Sequence, residues 1–174
     1  MTESLLRAFA HQKNQSMKAI RNITCIIALA TLFAGCVTQH QMTTPFDESE
    51  FQPFVGKGTA TITGQAFLKT VGGEVRYGAG DPVILTPVTP YTTEALLAER
   101  SLQLPQTDPR LLKYLHTVIA DGSGNFEFQD IPPGDYYIKC AIVWGVPDQQ
   151  TGGVAWAKTY VGDGEIVKVV VTSQ

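Results

Sequence analysis

The sequence is poor in the side chains from which active sites and metal centres are usually assembled. Its 174 residues include three histidines, three cysteines and two tryptophans. His11 lies in a polar N-terminal stretch and His40 in an acidic, aperiodic one, which leaves His116 as the one histidine placed to act as a general base. No serine occupies a Gly-x-Ser-x-Gly elbow and no His-Glu-x-x-His occurs, so the commonest sequence marks of hydrolases and zinc proteases are missing. His116 and Cys140 have no neighbours at zinc-ligand spacing. The apolar run from Ile23 to Phe33 is too short to cross about 30 Å of hydrocarbon, which takes about 20 residues. Positive charge is scarce as well: 13 Lys and Arg face 16 Asp and Glu, which argues against a nucleic-acid partner.

What the N-terminus does contain is a secretory layout. Lys18 and Arg21 precede the apolar run, and "LFAGC" (Leu32 to Cys36) closes it with small residues before a cysteine. Residues 1 to 16 would make a long polar lead, so Met17 is an alternative start. The Ala34-Gly35-Cys36 ending resembles the lipobox of bacterial lipoproteins, with Phe33 where that family more often has Leu, Val or Ile. The resemblance implies that Cys36 is lipidated on sulfur and becomes the first residue of the mature chain. Val37 rather than Asp after it implies delivery to the outer membrane, facing the periplasm. Removal of residues 1 to 35 would take away four basic residues and one acidic one, leaving 9 against 15 and a net charge of about −6. Such a body would not adhere to an anionic bilayer by charge, so acyl chains would hold it there. With Cys25 in the signal and Cys36 blocked, Cys140 has no disulfide partner and is expected in the core as a small hydrophobe.

The chain divides into an N-terminal extension with signal peptide (1–35), a lipidated cysteine and tether (36–57) and a β domain (58–174). The tether is polar and acidic, yet Phe46, Phe51 and Phe54 exceed what a spacer needs, and its distal part is expected to pack on the domain edge. Beyond it, short alternating runs bounded by turn residues predict an all-β sandwich. Ala60, Ile62, Ala66 and Leu68 share one face of the first strand. Phe126 and Phe128 flank Glu127; Tyr136, Ile138, Cys140, Ile142 and Trp144 line one side of the longest strand. Val167, Val169 and Val171 form the inner face of the last, which is expected to pair in a hairpin with "GVAWAKTYV" across Gly162-Asp163-Gly164. Between Pro87 and Leu115 helical spacing replaces alternation; Thr92 or Thr93 can cap one short helix, and Asp108-Pro109 reads as a second helix start. An insertion of about 28 residues is longer than most loops, and such insertions either carry function or cover a sheet edge.

The densest pattern is "ADGSGNFEFQDIPPGDYYI", Ala120 to Ile138. Asp121, Ser123 and Asn125 alternate like calcium ligands, but an EF-hand loop needs glycine at its sixth place and a bidentate Glu at its twelfth, where Phe126 and Pro132 stand. The stretch therefore reads as two turns, with glycines supplying positive φ and the prolines presetting theirs. Asp121, Gly124, Phe126, Phe128, Ile131, Pro132, Gly134 and Tyr136 fill every place of a D-x-x-G-x-F-x-F-x-x-[ILV]-P-x-G-x-Y pattern, and in this the chain resembles carboxypeptidase regulatory-like, transthyretin-like domains. The likeness extends from Gly58 to Val171 and implies a seven-stranded prealbumin-like sandwich with a short helical insertion, no catalysis and no cofactor. The fold also hosts a hydroxyisourate hydrolase, whose site histidines and terminal Tyr-Arg-Gly-Ser this chain lacks, ending instead in "VVVTSQ".

These readings converge on a non-enzymatic lipoprotein, anchored through its lipid and serving as an interaction or structural module of the cell envelope. One alternative is a glycan- or peptide-binding module using an aromatic patch of Tyr91, Tyr114, Trp144 and Trp156, with Tyr160 beside them. Another is a secretion-system accessory role, resembling the tethered transthyretin-like lipoprotein of type VI systems. The expected contact surfaces are the Thr92 to Lys113 insertion and the "GVPDQQTGG" loop, Gly145 to Gly153.

Overall fold

The computed structural model describes residues 38–146 and 149–173. Cys36, the signal-peptide features and the question of Met17 lie outside the described residues. From Gln39 onward the chain is one compact unit. In chain order it comprises β1 (Gln39–Gln41), a 3-10 turn (Glu48–Phe54), β2 (Ala60–Lys69), β3 (Val75–Tyr77), β4 (Pro82–Pro87), α1 (Pro90–Arg100), β5 (Leu104–Gln106), a second 3-10 turn (Pro109–Tyr114), β6 (His116–Ile119), β7 (Asn125–Ile131), β8 (Gly134–Val146), β9 (Gln149–Val161) and β10 (Ile166–Val171).

The architecture is all-β. One sheet is built on β2, which pairs with β10 in parallel and with β7 and β3 antiparallel; the other runs β6-β4-β8-β9, antiparallel throughout. The inner faces meet in one core, where the alternation read from the sequence is realised. Ala60, Ile62, Ala66 and Leu68 of β2 and Phe126, Phe128 and Ile131 of β7 face Val83 and Leu85 of β4 and Tyr136, Ile138, Cys140 and Ile142 of β8. Val171 is fully buried and Val167 and Val169 pack against the same cluster. The two sheets hold eight strands where the family resemblance implies seven; among them Val75–Tyr77 is short and exposed throughout and carries no readable period.

Two expectations of pairing are corrected. The Gly162-Asp163-Gly164 turn does not close a hairpin: β10 leaves the sheet of β9 and pairs with β2, from Ile166 opposite Thr61 to Val171 opposite Ala66. The reason is geometric. Gly162 N–H donates to Glu165 Oε2 (2.7 Å) and Thr61 N–H to the Glu165 carbonyl (2.9 Å), so the turn delivers the chain to the facing sheet, and β9 pairs with this last segment through an isolated Trp156–Thr172 bridge just past β10. Nor is Gly145 to Gly153 a loop. β8 and β9 stay in register from Gly134–Val161 out to Val146–Gln149, and Gly145, at φ 110°, permits that extension; only residues 147 and 148 lie outside the description.

The signature stretch forms the two predicted turns. Asp121 Oδ1 accepts from the Ser123 and Asn125 amides (2.8 and 2.9 Å), and Oδ2 from Asn125 Nδ2 (2.9 Å), so the carboxylate is spent inside its own turn. Gly124, at φ 76°, lies so close to β2 that a Cβ there would stand 2.5 Å from the Ala66 carbonyl oxygen. The second turn is held by the fully buried Tyr136, whose hydroxyl donates to the Pro132 carbonyl (2.9 Å).

Residues 39–55 of the expected tether (36–57) fold onto the insertion. Phe51 is fully buried, stacks on Tyr114 (4.6 Å between ring centroids) and on Phe46 (5.0 Å), and joins Tyr91 and Leu111 in a second hydrophobic cluster; Phe54 packs edge-on against Tyr136 (5.3 Å). β1 pairs in parallel with β5. Glu94 of α1 clasps the segment: it accepts from the amides of Thr43 and Thr44 (both 2.7 Å), from the Thr43 hydroxyl (2.8 Å) and from His40 Nε2 (2.9 Å).

Candidate functional site

Helix α1 lies across the outer face of the β6-β4-β8-β9 sheet. Its N-cap is Thr89, three residues ahead of the expected Thr92; Thr92 is instead the reciprocal partner of a capping box and also donates to the Pro87 carbonyl (2.7 Å). Asp108 caps the second turn as expected, accepting from the Arg110 amide (2.9 Å). Tyr91, Thr92, Ala95 and Ala98 fall on one helical face and are buried, and the two alanines allow the close approach. Thr93 reaches the Tyr137 hydroxyl (3.1 Å), and Lys139 Nζ is clamped by both oxygens of Glu99 (2.7 and 2.8 Å).

Where α1 ends, the sheet extends beyond it and a groove opens. Its volume is about 370 Å³, and its walls are Leu96, Glu99, Arg100 and Leu102 on the helix side and Gly153, Val154, Trp156 and Ser173 on the sheet side. A narrower cleft of about 150 Å³ continues from it under the helix, sharing Leu96 and Glu99 and reaching Ile84, Thr86, Tyr137 and Lys139. Trp156 is half-buried, with the Arg100 guanidinium carbon 4.6 Å from its ring centroid. Leu102, at a positive φ of 57°, stands 90% exposed at the rim, and Val154 is exposed beside it. An aromatic ring and aliphatic side chains flanked by Glu99 and Arg100, with Lys139 in the adjoining cleft, can bind an amphipathic small molecule, and the larger volume falls in the range of about 300–1,000 Å³ typical of such sites.

The proposed aromatic patch is not assembled. Tyr91 and Tyr114 are buried in the second cluster, where the Tyr91 hydroxyl accepts from the Asp108 amide. Trp144 lies on the core face of β8 with Ile142, whereas Trp156, opposite Lys139, lies on the outer face of β9. The period-2 alternation of the ladder therefore puts the tryptophans on opposite sides of one sheet. Only Trp156 opens on the groove. Tyr160 is exposed farther along its face. The remaining wall residues carry little sequence signal: Glu99 and Arg100 end a helix as charged residues commonly do, and Leu102 reads as loop.

His116 and Cys140 lie outside the groove walls. Burial lowers the pKa of His116, and the same effect pushes the Cys140 thiol, beside Asp81, up to about 11. Among the described residues no three His, Cys, Asp or Glu side chains are placed to hold a metal ion. A wider depression over α1 contains Glu94, but its carboxylate is saturated by the clasp; the Thr44, Thr43 and His40 donors hold it well below the usual carboxylate range.

No family model and no curated protein matches the chain. Among solved structures, a candidate carbohydrate-binding protein from Pseudomonas aeruginosa is similar, with a TM-score of 0.65 at 26% identity over 75% of this chain and 99% of its own. Nearly all of that protein thus matches about three quarters of this one.

Proposed function

We propose that the protein is a non-enzymatic glycan-binding module of the cell envelope, held to the outer membrane by a lipid on Cys36 and facing the periplasm. The observation that carries the glycan reading is the groove at Trp156. A half-buried indole beside aliphatic and charged side chains suits the alternating CH and OH faces of a sugar. The structural likeness to a candidate carbohydrate-binding protein supports the same assignment. The finer fold, a transthyretin-like sandwich, is supported by the two turns at Asp121 and Pro132, whose signature residues serve the structural roles that pattern implies. The anchor is supported by the sequence around Cys36.

Titration of an oligosaccharide panel against the full-length chain in detergent tests the binding. Saturable binding that Trp156→Ala abolishes, with the fold unchanged by circular dichroism, is the expected result. Absence of binding to any glycan, or binding indifferent to Trp156, overturns it. The anchor is tested by palmitate labelling, which should vanish in Cys36→Ala.

A further inference from the structure

Arg100 is the least explained charge in the groove. Glu99 is committed to Lys139 through two contacts of 2.7 and 2.8 Å, so those charges largely satisfy each other. Among the described residues no carboxylate lies within 4.0 Å of the Arg100 guanidinium. It is exposed, and it rests over Trp156 at 4.6 Å. A cation over an aromatic face is attracted by the ring quadrupole, an interaction that consumes none of its hydrogen-bond donors. Trp156 therefore holds the guanidinium at the groove wall, and among the described residues none of its five N–H groups has a hydrogen-bond partner. Their planar fork matches a carboxylate, which it binds in a bidentate manner.

We propose that this groove selects saccharides that carry a carboxylate, with Arg100 as the residue that recognises it. The inference rests on the glycan-binding reading and names its ligand class. In a body with an excess of acidic residues, general electrostatics would repel an anionic sugar, so its selection requires a local, geometrically matched cation such as this one. The sugar ring lies against Leu102, Val154 and the part of Trp156 that Arg100 does not cover, and its carboxylate meets the outward edge of Arg100.

The test compares uronic-acid and N-acetylmuramic-acid oligosaccharides with their neutral methyl esters, by calorimetry on the full-length chain in detergent. At least tenfold tighter binding of an acid than of its ester is expected, shrinking below threefold in Arg100→Gln and partly retained in Arg100→Lys, which keeps the charge and loses the fork. Equal binding of acid and ester, unaltered by Arg100→Gln, overturns the inference and leaves the glycan reading standing. If neither acids nor esters nor neutral oligosaccharides bind, the glycan reading fails and the inference with it.

Discussion

Tyr136 shows how much one side chain of the signature stretch does. It is fully buried between the sheets, its ring supports Phe54, and its hydroxyl satisfies the Pro132 carbonyl in a turn that cannot use proline N–H groups. Tyr136→Phe keeps the ring and strands that carbonyl, so chemical denaturation should show a loss of about 1–2 kcal/mol. Cys140, two residues along the same face, makes the opposite prediction. Its thiol is buried and pushed up to about 11, so iodoacetamide should label it only at the rate of global unfolding; rapid labelling of native protein, read by mass spectrometry, would contradict the burial. Both positions were legible in advance, because the alternation from Tyr136 to Trp144 states which side chains share a face. What Trp144 and Trp156 do relative to each other was not legible, since it depends on the register between β8 and β9.

At the scale of elements, the segment Gln39–Val55 and the insertion form one cohesive layer. Phe51→Ala should cost about 3–5 kcal/mol locally, as truncation of a fully buried aromatic does, and should raise hydrogen exchange in β1, the first 3-10 turn and β5 while β2 and β8 stay protected. Acid should loosen the same layer. Glu94 and Asp108 both have folded pKa values below those of the unfolded chain, Asp108 at about 2 because Arg110 donates to it. A depressed carboxylate stabilises the fold above its unfolded value, about 4, and that contribution is lost as pH falls toward the folded value. Stability should therefore decline on acidification below about pH 4, and the decline should be shallower in Glu94→Gln, which also starts from a lower stability at pH 7. The aromatic surplus of the supposed tether hinted at this layer. Its clasp on Glu94 joins residues about fifty positions apart, and no local pattern encodes that.

For the whole molecule, the excess of acidic over basic residues has a consequence for membrane attachment. If lipid on Cys36 is the sole anchor, Cys36→Ala protein should remain in solution when mixed with anionic vesicles, and raising salt should not drive it onto them; flotation with the vesicles would point to a protein surface that binds the bilayer. The all-β class, the buried faces of the long strands, the two signature turns and the scarcity of catalytic groups could be read from the chain alone, because these follow from period-2 patterning, turn chemistry and composition, all of which are local. That β10 crosses to the sheet of β2, that β8 and β9 run on as a ladder, and that Arg100 comes to rest over Trp156 in an open groove emerges with folding alone. The strand order and that meeting arise from long-range pairing, in which residues distant in the chain become neighbours through register and packing, and their spacing along the chain carries no trace of it.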